Sequence, residues 1–202
     1  MIRPLLQWPL LAGLVLLSAC SMTRGPEVSA AMDVQRQAHL LALAQWQAQG
    51  KIALRSAEHS ESGNLDWRQD GAHTHLQLSG PMGLSATTVD SDGRYLSVRQ
   101  GDEVQRWSLE DSALDAHNPW QLPLASLHYW LKGIPAPDAP VDALQSDPLT
   151  RLPAQLQQQG WTVDYQDYGQ FGGLWLPTRL QLQRADTRAR IILRQWAFPA
   201  TP

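Results

Sequence analysis

From Lys51 onward apolar side chains return at every second position in one short segment after another, and no other feature limits the fold as tightly. Ile52 and Leu54 alternate with Lys51 and Arg55, Leu65 and Trp67 with Asn64, Asp66 and Arg68, and Leu76 and Leu78 with His75, Gln77 and Ser79. Successive side chains on a strand point to opposite faces, so each run is a strand with one wet face and one buried face. Gly71, Gly93 and Gly101 separate runs, and Ser91-Asp92-Gly93 and Gln100-Gly101-Asp102 carry the turn chemistry of neighbouring antiparallel strands. Further strands are predicted over 94–99 and 103–109. The pattern returns at Trp161, Val163 and Tyr165, at Leu180 and Leu182, and at Ile191, Leu193 and Trp196. Short strands at such even spacing predict a meander, rolled into a barrel or a strongly curved sheet.

Three stretches break the alternation. Val34, Ala38, Leu41 and Trp46 recur near helical spacing, which predicts an amphipathic helix ending around Gln49-Gly50. Residues 111–133 read as two short helices divided at Asn118-Pro119, the second with Leu122, Leu124, Leu127, Trp130 and Leu131 on one apolar face. The segment 134–148 holds Pro135, Pro137, Pro140 and Pro148 and reads as a loop or crossover. The expected fold is mainly β with an α lid: one antiparallel sheet whose apolar face is covered by helices, with room for a ligand between.

The single cysteine cannot make an internal disulfide, and its position suggests another use. A short charged start with Arg3, an apolar run from Leu10 to Leu17, and small residues before Cys20 follow the order of a secretory signal. The run is too short for a membrane-spanning helix, which needs about 20 apolar residues, and that disfavours an uncleaved anchor with a chance cysteine. Leu17-Ser18-Ala19-Cys20 resembles the lipobox of bacterial lipoproteins, which implies cleavage before Cys20 and acylation of its side chain and new N-terminus. The chain is thus expected to divide into a signal peptide over 1–19, a flexible polar tether over 20–32 and one folded domain over 33–198. Loss of Arg3 leaves 15 basic against 19 acidic side chains, a net charge of −4. With no basic cluster, nucleic acid is not an expected partner.

Catalytic motifs are missing: there is no Gly-x-Ser-x-Gly, P-loop, His-Glu-x-x-His or paired-cysteine signature, so no enzyme activity and no cofactor are expected. His73 and His75 share one strand face and form a two-ligand arrangement, but no third ligand can be assigned and His59 is an arbitrary candidate. The nine tryptophans admit two readings, core filling or the wall of an apolar cavity. On the second reading the cavity is lined by Ile52, Leu54, Leu65, Trp67, Leu76, Leu78, Trp107, Leu127, Trp130, Trp161, Leu180 and Trp196. Gly80-Pro81-Met82-Gly83-Leu84 sets apolar Met82 and Leu84 where a polar turn is expected. They either dip into a membrane or partner groove, or fold back over the barrel end.

The lipobox, Gly50-Lys51-Ile52-Ala53-Leu54-Arg55, Ser62-Gly63-Asn64-Leu65-Asp66-Trp67, Gly80-Pro81-Met82-Gly83 and Leu124-Ala125-Ser126-Leu127-His128-Tyr129-Trp130-Leu131-Lys132-Gly133, in that order, resemble the LolB family of outer-membrane lipoprotein receptors. Gly160-Trp161-Thr162-Val163 and Leu176-Pro177-Thr178-Arg179-Leu180 continue the match. The resemblance implies an incomplete, half-open antiparallel β-barrel, covered by short helices around an apolar cavity. It also implies a monomer anchored at the periplasmic face of the outer membrane, consistent with Ser21 after the lipidated cysteine. Such a receptor takes lipoproteins from the periplasmic carrier LolA, holds their acyl chains and releases them into the inner leaflet of the outer membrane, without nucleotide or metal. Met82 stands where the family has a protruding apolar residue for membrane insertion, and Leu84 is open to the same task. The alternatives are a membrane-anchored scaffold or sensor that binds a protein partner and, more remotely, a hydrolase on the His73 and His75 face.

Overall fold

The computed structural model describes residues 26–57, 60–80, 86–109 and 122–199. A helix, α1 (Pro26–Ala42), leads into a run of six strands: β1 (Gln45–Arg55), β2 (Ser60–Asp70), β3 (His73–Ser79), β4 (Thr87–Ser91), β5 (Tyr95–Gln100) and β6 (Glu103–Ser108). The chain then passes through a short helix, α2 (Leu124–Trp130), to β7 (Val141–Ser146), β8 (Pro153–Gln158), β9 (Trp161–Phe171), β10 (Leu174–Arg184) and β11 (Thr187–Ala197). Among the described residues, eleven strands form one antiparallel sheet in the order β6-β5-β4-β3-β2-β1-β11-β10-β9-β8-β7. Two meanders, one from each half of the chain, are joined where β1 meets β11. Among the described residues, β6 and β7 are the edges of this sheet, which stays open.

Register places the alternating apolar set on one face across strand after strand. Leu65 lies opposite Leu78, Trp67 opposite Leu76, and Leu76 opposite Val89. On the other side of the join, Ile52 faces Ile191, which in turn faces Leu180. The join is tight. A bulge falls between Gln49 and Gly50, where any side chain at position 50 would bring its Cβ to within 1.9 Å of the Ile192 carbonyl oxygen. Gly93 turns β4 into β5 with φ of 84°, a conformation that side chains resist.

Several sequence expectations are corrected. The first helix ends at Ala42, so Trp46 is a buried strand residue of β1. Its phase also differs: Leu40 is the buried contact, while Val34 and Leu41 of the expected core stripe are 67% and 38% exposed. It begins at Pro26, inside the stretch expected to be a tether. The proline-rich stretch contains β7, because Pro140 and Pro148 flank the strand and an edge position tolerates such neighbours. The second expected short helix is α2. The first lies mainly in 110–121, outside the described residues.

Candidate functional site

The concave face of the sheet is covered by α2 and the turn that follows it. The C-terminal part of this lid is held by a chain of buried polar contacts. Gln158, fully buried on β8, accepts hydrogen bonds from Trp130 Nε1 and the Ala136 backbone N–H, both at 2.9 Å. Its own amide donates to the carbonyls of Ala136 at 2.8 Å and Ala139 at 2.9 Å. Every hydrogen-bonding group of this side chain is thus used, as burial requires. Lys132, also buried, donates from Nζ to the Leu40 carbonyl at 2.7 Å and the Leu43 carbonyl at 3.3 Å, which ties the lid to the C-terminal end of α1. Burial lowers its pKa to about 8, yet the free carbonyls at a helix end favour a cation there. Ser126 Oγ adds a bond to Gln159 Oε1 at 2.7 Å.

Beneath this pinned section lie the largest buried side chains. Trp67, Trp130 and Trp161 are at most 1% exposed, and Leu127, Leu156, Leu180 and Ile191 fill in around them. Ring contacts link Trp130 to Trp161 at 6.4 Å and Trp46 to both Trp67 and Trp196 at 6.0 and 5.2 Å.

On the β3–β5 side the face is hollow. A cavity of about 320 Å³ lies between the sheet, which contributes Leu76, Val89 and Leu96, and the lid, which contributes Leu122, Leu124 and Ala125. Leu109 closes another side. Its polar margin holds Gln69, Thr74, Ser91, His128, Tyr129 and Asp138. Gln69 is already engaged: its carbonyl accepts from Trp67 Nε1 and Thr74 Oγ1, both at 2.9 Å, and its amide donates to the Gly71 carbonyl at 2.9 Å. Burial, reinforced by nearby Lys132, lowers the His128 pKa to about 4, so its imidazole is neutral at physiological pH. The result is an apolar-walled pocket with a restrained polar rim, suited to hydrocarbon rather than to an ion.

Of the twelve residues expected to line a cavity, Leu76 lines this one. Ile52, Leu54, Leu65, Trp67, Leu127, Trp130, Trp161, Leu180 and Trp196 are buried in the packed core, and Leu78 and Trp107 are half-buried against it. None of these eleven is among the residues that line this cavity. Of the described tryptophans, Trp46, Trp67, Trp130, Trp161 and Trp196 belong to the buried core, Trp107 is half-buried against it and Trp175 is exposed. The rim residues His128, Tyr129 and Asp138 and the braces Lys132 and Gln158 were not singled out from sequence. A charged residue ending the apolar run Leu127–Leu131, and a Gln in the inward phase of Leu156, are the signals that mark the two braces. Cys20, Met82, Leu84 and His59 lie outside the described residues. His73 is exposed, whereas His75 Nδ1 lies 2.6 Å from Asp90 Oδ1 on the outer face. Among the described residues no group of three potential ligands gathers around a metal site.

A family model described as "Outer membrane lipoprotein LolB" matches residues 44–196. The outer-membrane lipoprotein LolB of Alkalilimnicola ehrlichii is 34% identical over 195 residues, covering 94% of this chain and 96% of that protein. The LolB of Stutzerimonas stutzeri is 35% identical over 188 residues, covering 93% and 90%. Among solved structures, a LolA superfamily protein from Nitrosomonas europaea superposes with a TM-score of 0.57 at 12% identity, over 86% of this chain and 94% of that one. A putative outer membrane lipoprotein-sorting protein domain from Vibrio parahaemolyticus gives 0.55 at 10% identity, over 87% and 94%.

Proposed function

The chain belongs to the LolB family of outer-membrane lipoproteins, and from that premise we propose that it receives lipoproteins from the periplasmic carrier LolA and delivers them to the outer membrane by sheltering acyl chains in its cavity. It acts as a binding protein without turnover, held at the periplasmic face by lipid on Cys20. The observation that carries this reading is the hollow of about 320 Å³ walled by Leu76, Val89, Leu96, Leu122 and Leu124.

The physical need is large. Exposing a 16-carbon chain to water costs about 12 kcal/mol at about 0.8 kcal/mol per methylene, so free diffusion of a triacylated protein is closed. Ligand sites for small molecules run from about 300 to 1,000 Å³, so the cavity is at the small end of that range. That is far less than three chains need. Full loading therefore requires α2 to move away from β3–β5, which its polar anchors permit because they lie on the β8–β9 side and toward α1. Release follows when the bilayer offers a still more favourable environment, so no nucleotide is needed. Met82 and Leu84 serve as the point of entry into the leaflet.

The test is delivery: a fluorescent lipoprotein loaded on the carrier is mixed with the protein and vesicles, and its arrival in the vesicle fraction is followed. Transfer that depends on this protein is expected, and Met82→Glu should slow the last step while leaving uptake from the carrier intact. Cargo that stays on the carrier while both proteins are folded overturns the reading in favour of a scaffold.

A further inference from the structure

The hollow under the lid has walls of one kind and a rim of another. Leu76, Val89, Leu96 and Leu122 are buried around its inner part. Gly71, Ala72, Gly93 and Asp138 also line it but are exposed, so it opens where β2 turns into β3 and β4 into β5, beside the segment that follows the lid. Ala72 and Leu76 are four residues apart, which gives a depth of about 13 Å at about 3.3 Å per residue. A tail that enters leaves its head at the rim.

The charge on that rim has one sign. Among the described residues that line the cavity there is no Lys or Arg, and Asp138 is the one carboxylate. None of the ion pairs formed by the described residues includes Asp138. His128 supplies no positive charge at neutral pH, because burial and nearby Lys132 lower its pKa to about 4. Lys132 is itself outside the lining and donates to the carbonyls of Leu40 and Leu43. Asp92 and Arg94 flank Gly93, but both are exposed outside the lining and their charges are opposite. What the rim offers a head group is therefore hydrogen bonding. Tyr129 stays a phenol, since burial and then Asp138 raise its pKa, and the neutral imidazole of His128 keeps one donor and one acceptor nitrogen.

We propose that the hollow selects by head group, taking a hydrocarbon tail whose head is uncharged and hydrogen-bonding and turning away one whose head is anionic. A hydroxyl or amide N–H donates to the Asp138 carboxylate, and an ester or amide carbonyl accepts from the Tyr129 phenol. A phosphate, sulfate or carboxylate meets a like charge there, with no cation in the described lining to offset it. The inference deepens the transfer reading and rests on it for the entry of hydrocarbon into this hollow. Glyceryl esters and amides, the links that carry a lipoprotein's acyl chains, are heads of the accepted kind. Phosphate-bearing lipids are not, so a receptor with this rim takes up cargo without stripping the leaflet around it.

The experiment uses the full-length acylated protein in phosphatidylcholine vesicles at neutral pH, with two photoreactive probes that carry the same diazirine in a decyl tail. One is 1-decanoylglycerol, which is uncharged, and the other is decyl sulfate, which is an anion at every working pH. Labelling is mapped by mass spectrometry on the peptides that hold Leu76, Leu96 and Leu122. Vesicles take up each probe equally whichever variant they carry, so a change in the labelling ratio between variants isolates the rim. Asp138→Asn should lower the glycerol-to-sulfate ratio at least threefold and Asp138→Lys at least tenfold, and both changes should shrink at high salt, as an exposed charge requires. A ratio that is the same in parent and variants overturns the proposal, as does the absence of both labels from these peptides. Delivery is followed on the same preparations. Normal delivery with equal ratios overturns this inference alone, whereas a ratio that follows the charge at position 138 without delivery overturns the transfer reading alone.

Discussion

The two sides of the concave face are built from the same alternating pattern yet end differently. Under the pinned end of the lid, Trp67, Trp130, Trp161 and Leu180 are at most 1% exposed, and the Trp130 and Trp161 rings lie 6.4 Å apart. On the β3–β5 side, Leu76, Val89 and Leu96 look across a hollow at Leu122 and Leu124. The difference lies in the side chains that face each other. Indole meets indole on the filled side, whereas leucine and valine face the lid on the other. Dense packing and empty volume are thereby allotted to different parts of one sheet, and the comparison can be tested at either end.

The largest effect is expected on the filled side. Trp130→Ala should cost about 3–5 kcal/mol, because it removes a fully buried ring and one of the two hydrogen bonds that the Gln158 carbonyl accepts. Val89→Ala, which only enlarges an existing hollow, should cost about 1–2 kcal/mol. Urea unfolding midpoints of the two variants check the contrast, and equal losses would erase it.

Next comes the acid response of the rim. His128 has its pKa lowered to about 4 from an ordinary 6.5 by burial and by Lys132. The unfolded chain then binds the proton more readily between these values, so the contribution is complete above about 6.5 and is lost as pH falls toward 4. At about 1.4 kcal/mol per tenfold change in proton affinity, the window is worth at most about 3.5 kcal/mol. Thermal melts between pH 7 and pH 4 should show the decline, and His128→Phe should flatten it.

A smaller but more specific effect is expected from filling the hollow. Ala125→Trp places a ring where the cavity opens and should leave the melting temperature within a few degrees of the parent. Cargo delivery should slow at least tenfold, equivalent to about 1.4 kcal/mol in the transfer barrier. Unchanged delivery would mean that the cargo does not enter from this side. The smallest effect is reserved for the outer face. His75→Ala breaks an exposed pair with Asp90 and should change stability by less than about 1 kcal/mol, with delivery untouched.

Much of the fold was legible because the pleat is a local property. Inward phases of β1, β2, β3, β9, β10 and β11 were correct, as were the turns at Gly71, Gly93 and Gly101. The phase of α1 was not, since apolar residues at 34, 38, 40, 41 and 43 offer the core two faces, and periodicity alone does not choose between them. Strand β7 was hidden by its flanking prolines, which matter less at an edge. The candidate cavity was harder still. Leu76 was identified, but Val89, Leu96, His128 and Asp138 come together only because distant segments fold against one another.

Taken alone, the amino-acid order determined an antiparallel sheet with one greasy face, its turns, and the family to which the chain belongs. Only the tertiary structure decided which part of that face is solid and which is hollow. Alternation records where a side chain points, one residue at a time. Empty volume depends on what arrives from the other side, and here that is settled by Gln158 and Lys132, which hold the lid over one half of the sheet and leave a gap above the other.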